Sequence, residues 1–103
     1  MDRRIELDDL LKAIVNRHGG NLYYQPPSSV KMTYPAIRYE RSAVDTDFAD
    51  NKPYRNTIGY TLTVIDRNPD SDITKEVMAL PMCRYNRHYY AENLNHDVFT
   101  IFY

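Results

Sequence analysis

The chain has no tryptophan, one cysteine and three glycines in 103 residues. Each shortage removes a class of function. A lone Cys83 excludes an intrachain disulfide and fits a reducing compartment. Three glycines cannot build a phosphate-cradling loop, and no GxxxxGK, GxGxxG or GxSxG occurs. No charge of one sign dominates. Thirteen Lys and Arg stand against 14 Asp and Glu, leaving −1 and no field to hold a polyanion, which argues against a dedicated nucleic-acid binder. No apolar run approaches the roughly 20 residues that span a bilayer. The start, MDRRIELDD, is charged and then amphipathic, without a signal peptide's apolar block, so a cytosolic product is expected.

What is plentiful is tyrosine, with 10 Tyr against 3 Phe. A tyrosine packs its ring and hydrogen-bonds at the rim, which suits half-buried faces and protein–protein contacts. The length predicts one domain, residues 1–103, of the commonest size.

Leu7, Leu10, Leu11, Ile14 and Val15 follow the i, i+3, i+4, i+7, i+8 rule of one helical face. Asp8 and Asp9 early and Arg17 and His18 late agree with the helix dipole, and Gly19-Gly20 stops the helix. NLYYQPPSSVKMTY reads as a loop with a short extended piece at Asn21–Tyr24. Tyr34 to Arg41 alternates as a strand, with Pro35 at its start. SAVDTDFADNKPYRN, Ser42 to Asn56, reads as a long polar loop with a turn at Asp50–Pro53 and room for a short hairpin.

Ile58, Tyr60, Leu62 and Val64 alternate with Thr57, Gly59, Thr61 and Thr63, which predicts a half-buried strand over Thr57–Asp66. RNPDSD then supplies a turn, and Asp70, Ser71 or Asp72 caps a second helix carrying Ile73, Val77 and Leu80 and ended by Pro81. Met82–Tyr90 and His96–Tyr103 make two strands joined by AENLN. The expected fold is α+β, a mainly antiparallel sheet of about four strands with two helices on one face, ordered α-β-β-α-β-β. Phe99 and Ile101 fall on one side of the final strand and Val98 and Phe102 on the other, so it needs cover on both. A neighbouring subunit is one source of the second cover.

Catalysis needs convergent titratable groups. Cys83, His88 and His96 match no zinc spacing, and with His18 they read as ordinary strand or turn residues. NPDSD lacks the glycine and terminal glutamate of a calcium loop. Asp66 with Lys75 is a faint echo of a metal nuclease, but Lys75 falls on a helix. His96-Asp97 has no serine or cysteine arranged for nucleophilic work. No catalytic residue, metal ligand or cofactor is assigned. Arg84-Tyr85-Asn86-Arg87-His88-Tyr89-Tyr90 mixes cations and aromatics as single-strand binders do, and equally as an exposed strand whose tyrosines pack on neighbours. By strict alternation, Arg84, Asn86, His88 and Tyr90 share one face.

PAIRYE, YTLTVIDRNPDSDI and YNRHYYAENLNHDVFTIFY together resemble a group of small proteins from long-tailed bacteriophages, known as tail terminator, tail completion or minor capsid proteins. The resemblance covers roughly Pro35 to Tyr103. It implies a lambda-type terminator fold and a homo-oligomer, a hexameric ring at the head-proximal end of the tail tube that stops tube growth. It also implies a location in the virion, partners in the tail tube protein and the head-closure or connector proteins, and DNA passing through the lumen unbound. The neighbouring expectation is a head-closure or connector adaptor of the neck. A head-to-tail ring needs two unlike sticky surfaces. The candidates are the Ser42–Asn56 loop, with Phe48 and Tyr54, and the Arg84–Tyr90 strand, with Arg84, Arg87, Tyr89 and Tyr90, together with Phe102.

Overall fold

The computed structural model describes the backbone of residues 4–49 and 52–103 and the side chains of residues 4–42 and 58–103. Seven elements follow in the order α1 (Arg4–Arg17), β1 (Asn21–Tyr24), β2 (Ala36–Ala49), β3 (Lys52–Asp66), α2 (Asp72–Met78), β4 (Cys83–Ala91) and β5 (Leu94–Phe102). The strands form one sheet ordered β1-β2-β3-β5-β4. The fold is α+β as expected, but the sheet has five strands and is mixed. Asn21–Tyr24, expected as a short extended piece in a loop, lies parallel to β2, while the other three pairings are antiparallel.

Both helices cover one face. Leu7, Leu11, Ile14 and Val15 of α1 and Ile73 and Val77 of α2 pack on Ile37, Tyr39, Tyr60, Leu62, Val64, Phe99 and Ile101. Each such aliphatic or aromatic side chain, taken fully out of water, stabilises the fold by about 1.5–3 kcal/mol before entropy is counted. Leu10, the fifth member of the predicted apolar stripe, is half-buried at its edge. The stripe ends where expected: Gly19 adopts φ +67°, and the Gly20 amide donates to the Val15 carbonyl at 2.7 Å. A side chain at Gly20 would meet the Pro35 carbonyl at 3.0 Å and the Ile73 side chain at 3.3 Å, so that glycine lets α1, α2 and the start of β2 close together.

The largest departure from expectation is at Ser42–Asn56. Expected as a loop with room for a short hairpin, the stretch is strand over Ser42–Ala49 and Lys52–Asn56, the far part of β2 and β3, which pair from Ala36↔Ile65 out to Ala49↔Lys52; of the expected turn, Asp50 and Asn51 lie outside the described residues, and Lys52 and Pro53 belong to β3. β5 joins β3 only over Gly59–Asp66 and β1 joins β2 only over Ala36–Tyr39. Ala43–Ala49 and Lys52–Ile58 therefore form a two-stranded arm with no third strand. Seven residues of strand reach about 23 Å, which accounts for the chain measuring 51 Å along one axis and 26 and 24 Å along the others.

Other departures are local. α2 stops at Met78, with Ala79 as its C-cap, so Leu80 lies beyond the helix and Pro81 two residues past the cap. Ser71 occupies the N-cap but makes no capping bond, and among the described residues its buried hydroxyl has no hydrogen-bond partner. The turn before it is held by Asx interactions, as the Asn68 amide donates to Asp66 and the Asp70 amide to Asn68. The β4–β5 link is two residues rather than five. Ala91 pairs with Leu94, and Glu92 and Asn93 have φ of 54° and 64°, the signature of a type I′ turn.

Candidate functional site

The face of the sheet opposite the helices is the first candidate surface. Along β4 the residues from Arg84 to Ala91 are all exposed. A bulge between Tyr85 and Arg87 shifts the register, so Asn86 has no opposite number on β5. Strict alternation therefore fails. Arg84, Asn86, Arg87 and Tyr89 all belong to the open face, opposite Thr100, Val98 and His96, while Tyr85, His88 and Tyr90 turn to the helix side, opposite Phe99, Asp97 and Asn95. The contacts agree with this assignment. Asn86 Nδ2 donates to Thr100 Oγ1 at 2.7 Å. The Tyr89 ring stacks on His96, with centroids 4.5 Å apart and planes 11° from parallel. The Arg87 guanidinium lies 5.3 Å above Tyr89. Cation–π contacts of this exposed kind contribute about 0.5–1 kcal/mol. They orient the side chains without hiding them.

The candidate residues separate into three groups. Arg84, Arg87 and Tyr89 come together on the open face. Phe102 shares that face, half-buried, and a side chain at Gly59 would meet its ring at 3.0 Å, so the ring lies across the glycine on the neighbouring strand. Tyr90 is exposed on the other side. Phe48 and Tyr54 sit on the two strands of the arm, and their side chains lie outside the described residues. Arg38 and Glu40 on β2 continue the open face as an ion pair at 3.5 Å.

The helix side of the β4–β5 hairpin holds polar groups that no spacing announced. Asp97 is buried, yet it accepts from the Tyr85 hydroxyl at 2.9 Å and the Thr74 hydroxyl at 3.3 Å. Partial burial, then the bond to Asp97, pushes the Tyr85 hydroxyl's pKa up. Asn95 is buried beside it. Its amide donates to the Asp66 and Arg67 carbonyls, and His88 Nε2 donates to its oxygen at 3.1 Å. This network ties α2, the turn before it and the hairpin together. A cleft of about 220 Å³ lies nearby between His18, Pro35, Asp66, Asn68, Ser71, Asp72 and Ile73. His18 in that cleft already bonds Glu76, whose carboxylate also accepts from Arg17, and these two partners hold its pKa below the usual carboxylate range.

The histidines and the cysteine do not converge. His88 faces the helix side, His96 the open face, and Cys83 is half-buried beside the core. Among the described residues no three His, Cys, Asp or Glu side chains form a metal-binding group. Among them, too, no helix is long and apolar enough to cross a membrane.

The second candidate surface is the arm. An isolated two-stranded hairpin is marginally stable in water, so a ribbon that no third strand joins among the described residues gains from any surface that completes it. Compared with known proteins, the chain matches no family model and no curated protein.

Proposed function

We propose that this protein is a structural component of a bacteriophage tail, a tail terminator that closes into a six-membered ring on the end of the tail tube. It acts by geometry and needs no cofactor. The resemblance over Pro35–Tyr103 supplies the family, and one structural observation carries the ring. A single subunit presents two unlike surfaces, a two-stranded arm and an uncovered cation-and-aromatic sheet face. Unlike surfaces make a head-to-tail contact, which closes into a ring when the rotation between copies divides the circle.

The ring would bind the tube's last layer, halt its growth and offer its other rim to the head connector, with DNA passing through the lumen. A sliding duplex requires a lining that does not grip phosphates, so Arg84 and Arg87 belong at contacts between proteins in this reading. Electron microscopy of phage particles made without the protein tests it. Overgrown tubes support termination. Free heads beside tails of normal length contradict it and favour a neck adaptor instead.

A further inference from the structure

Two carboxylates stand at the cleft beside α2. Asp66, the last residue of β3, and Asp72, the first of α2, line it, and no Lys or Arg does. His18, which also lines it, already bonds Glu76. Neither acid is used up by the bonds it makes. Asp66 accepts the Asn68 amide through Oδ1, and Asp72 shares an exposed 3.7 Å ion pair with Lys75, whereas a carboxylate offers about four acceptor positions.

Ser71 lines the same cleft. It is 3% exposed, and among the described residues its hydroxyl has no hydrogen-bond partner. A buried hydroxyl left unpaired carries a desolvation cost that a donor or acceptor would relieve. At about 220 Å³ the cleft is smaller than the roughly 300–1,000 Å³ of small-molecule pockets, so it suits a single head group. The group that answers two carboxylates and a hydroxyl is a guanidinium, a planar cation with five N–H donors. A metal ion fits less well, because no three His, Cys, Asp or Glu side chains form a metal-binding group among the described residues.

Each copy carries exposed guanidiniums on its other side. β4 has Arg84 and Arg87 and no acid over nine residues, and both arginines belong to the open face of the sheet. Within one copy they are misplaced for the cleft. Arg87 is level with Val98 and Thr63, short of Asp66 along β3 and on the opposite face. A second copy brings the two surfaces together.

We propose that the Asp66–Asp72 cleft of one copy receives a β4 arginine, Arg84 or Arg87, of the next. This rests on the ring reading and names its subunit contact. Cleft and strand are unlike surfaces, as a head-to-tail contact requires, and cleft-to-cleft or β4-to-β4 approaches would set like charges together.

Charge variants of the intact chain test it by sedimentation at one fixed ionic strength. Asp66→Asn with Asp72→Asn keeps an oxygen to accept from the Asn68 amide, and Arg84→Glu with Arg87→Glu alters only exposed side chains. Each pair of changes is expected to weaken ring assembly by about tenfold or more. Rings that assemble as tightly in either double variant overturn this contact and leave the ring reading standing. Wild-type protein that never assembles, alone or on tail tubes, overturns both. Ethylguanidinium, set against neutral ethylurea, probes the wild-type cleft and does not depend on any variant's folding. It is expected to shift the amide resonances of Asn68, Ser71 and Asp72 saturably and to disperse the rings, while ethylurea does neither. Unmoved amides overturn the site. Shifted amides with the rings intact mean that the cleft takes a cation from another molecule, and overturn the contact.

Discussion

On the helix side of the sheet Leu62, Val64 and Phe99 are buried almost completely. On the other side their neighbours in sequence, Thr61, Thr63 and Thr100, are only half-buried. The same two strands, β3 and β5, thus carry the core on one face and half-buried threonines on the other. Threonine keeps β-branched stiffness on the open side without demanding cover. Most of the core lies on the covered face, although Ala36, Ile65 and Val98 on the open side are buried too. A substitution's effect on folding and its effect on assembly should separate along that division.

Leu62→Ala strikes the covered face at its centre. It is expected to cost about 2–5 kcal/mol, a large part of the stability of a domain this size. Urea denaturation measures it. A loss below about 1 kcal/mol would mean that the core does not depend on this layer.

Tyr39 stands at the edge of the same core and is more informative. Its ring is buried between Tyr24 and Tyr60, with centroids 4.7 and 6.1 Å away, and its hydroxyl donates to Asp8 while Arg4 Nη1 donates to it at 3.4 Å. Burial first, and then the bond to Asp8, raises the Tyr39 pKa well above the ordinary value of 10.0. A raised pKa means that the neutral form is favoured on folding. Its stabilisation is whole below the unfolded value and is lost as pH climbs from about 10 toward the folded value. Tyr39→Phe is expected to cost about 1 kcal/mol at neutral pH and to flatten the fall in stability above about pH 10. Thermal melts across that range would show an unchanged alkaline slope if Tyr39 ionisation were not its source.

Arg87→Ala marks the other end of the scale. Arg87 is exposed and lies over the Tyr89 ring, so its loss should shift stability by no more than about 0.5 kcal/mol while weakening association between copies. Equal melts with unequal sedimentation would sharpen the distinction between the faces. A large stability loss would break it.

The covered face was legible because burial leaves a period. The Leu7–Val15 stripe and the Tyr60-Leu62-Val64 alternation each report one face turned to a core. The arm was not legible, because a two-stranded ribbon without cover shows no apolar alternation. Asp45, Asp47, Asp50 and Pro53 make its sequence look like loop chemistry. β4 misled for another reason: the bulge after Tyr85 moves every later side chain to the opposite face, and Asn86 carries no residue signature for it. Asp97 and Asn95 are polar residues at buried positions, satisfied by partners up to 29 residues away that spacing cannot connect. Of the candidate site, the cluster Arg84, Arg87 and Tyr89 was readable as exposed cations and aromatics. Its companion His96 was not, since the stacking pair forms only across the β4–β5 turn.

Imaging the purified chain by electron microscopy, alone and mixed with tail tubes, tests the central claim most directly. The account predicts closed rings of uniform diameter, free or seated on tube ends. Dispersed single subunits in both preparations would contradict it.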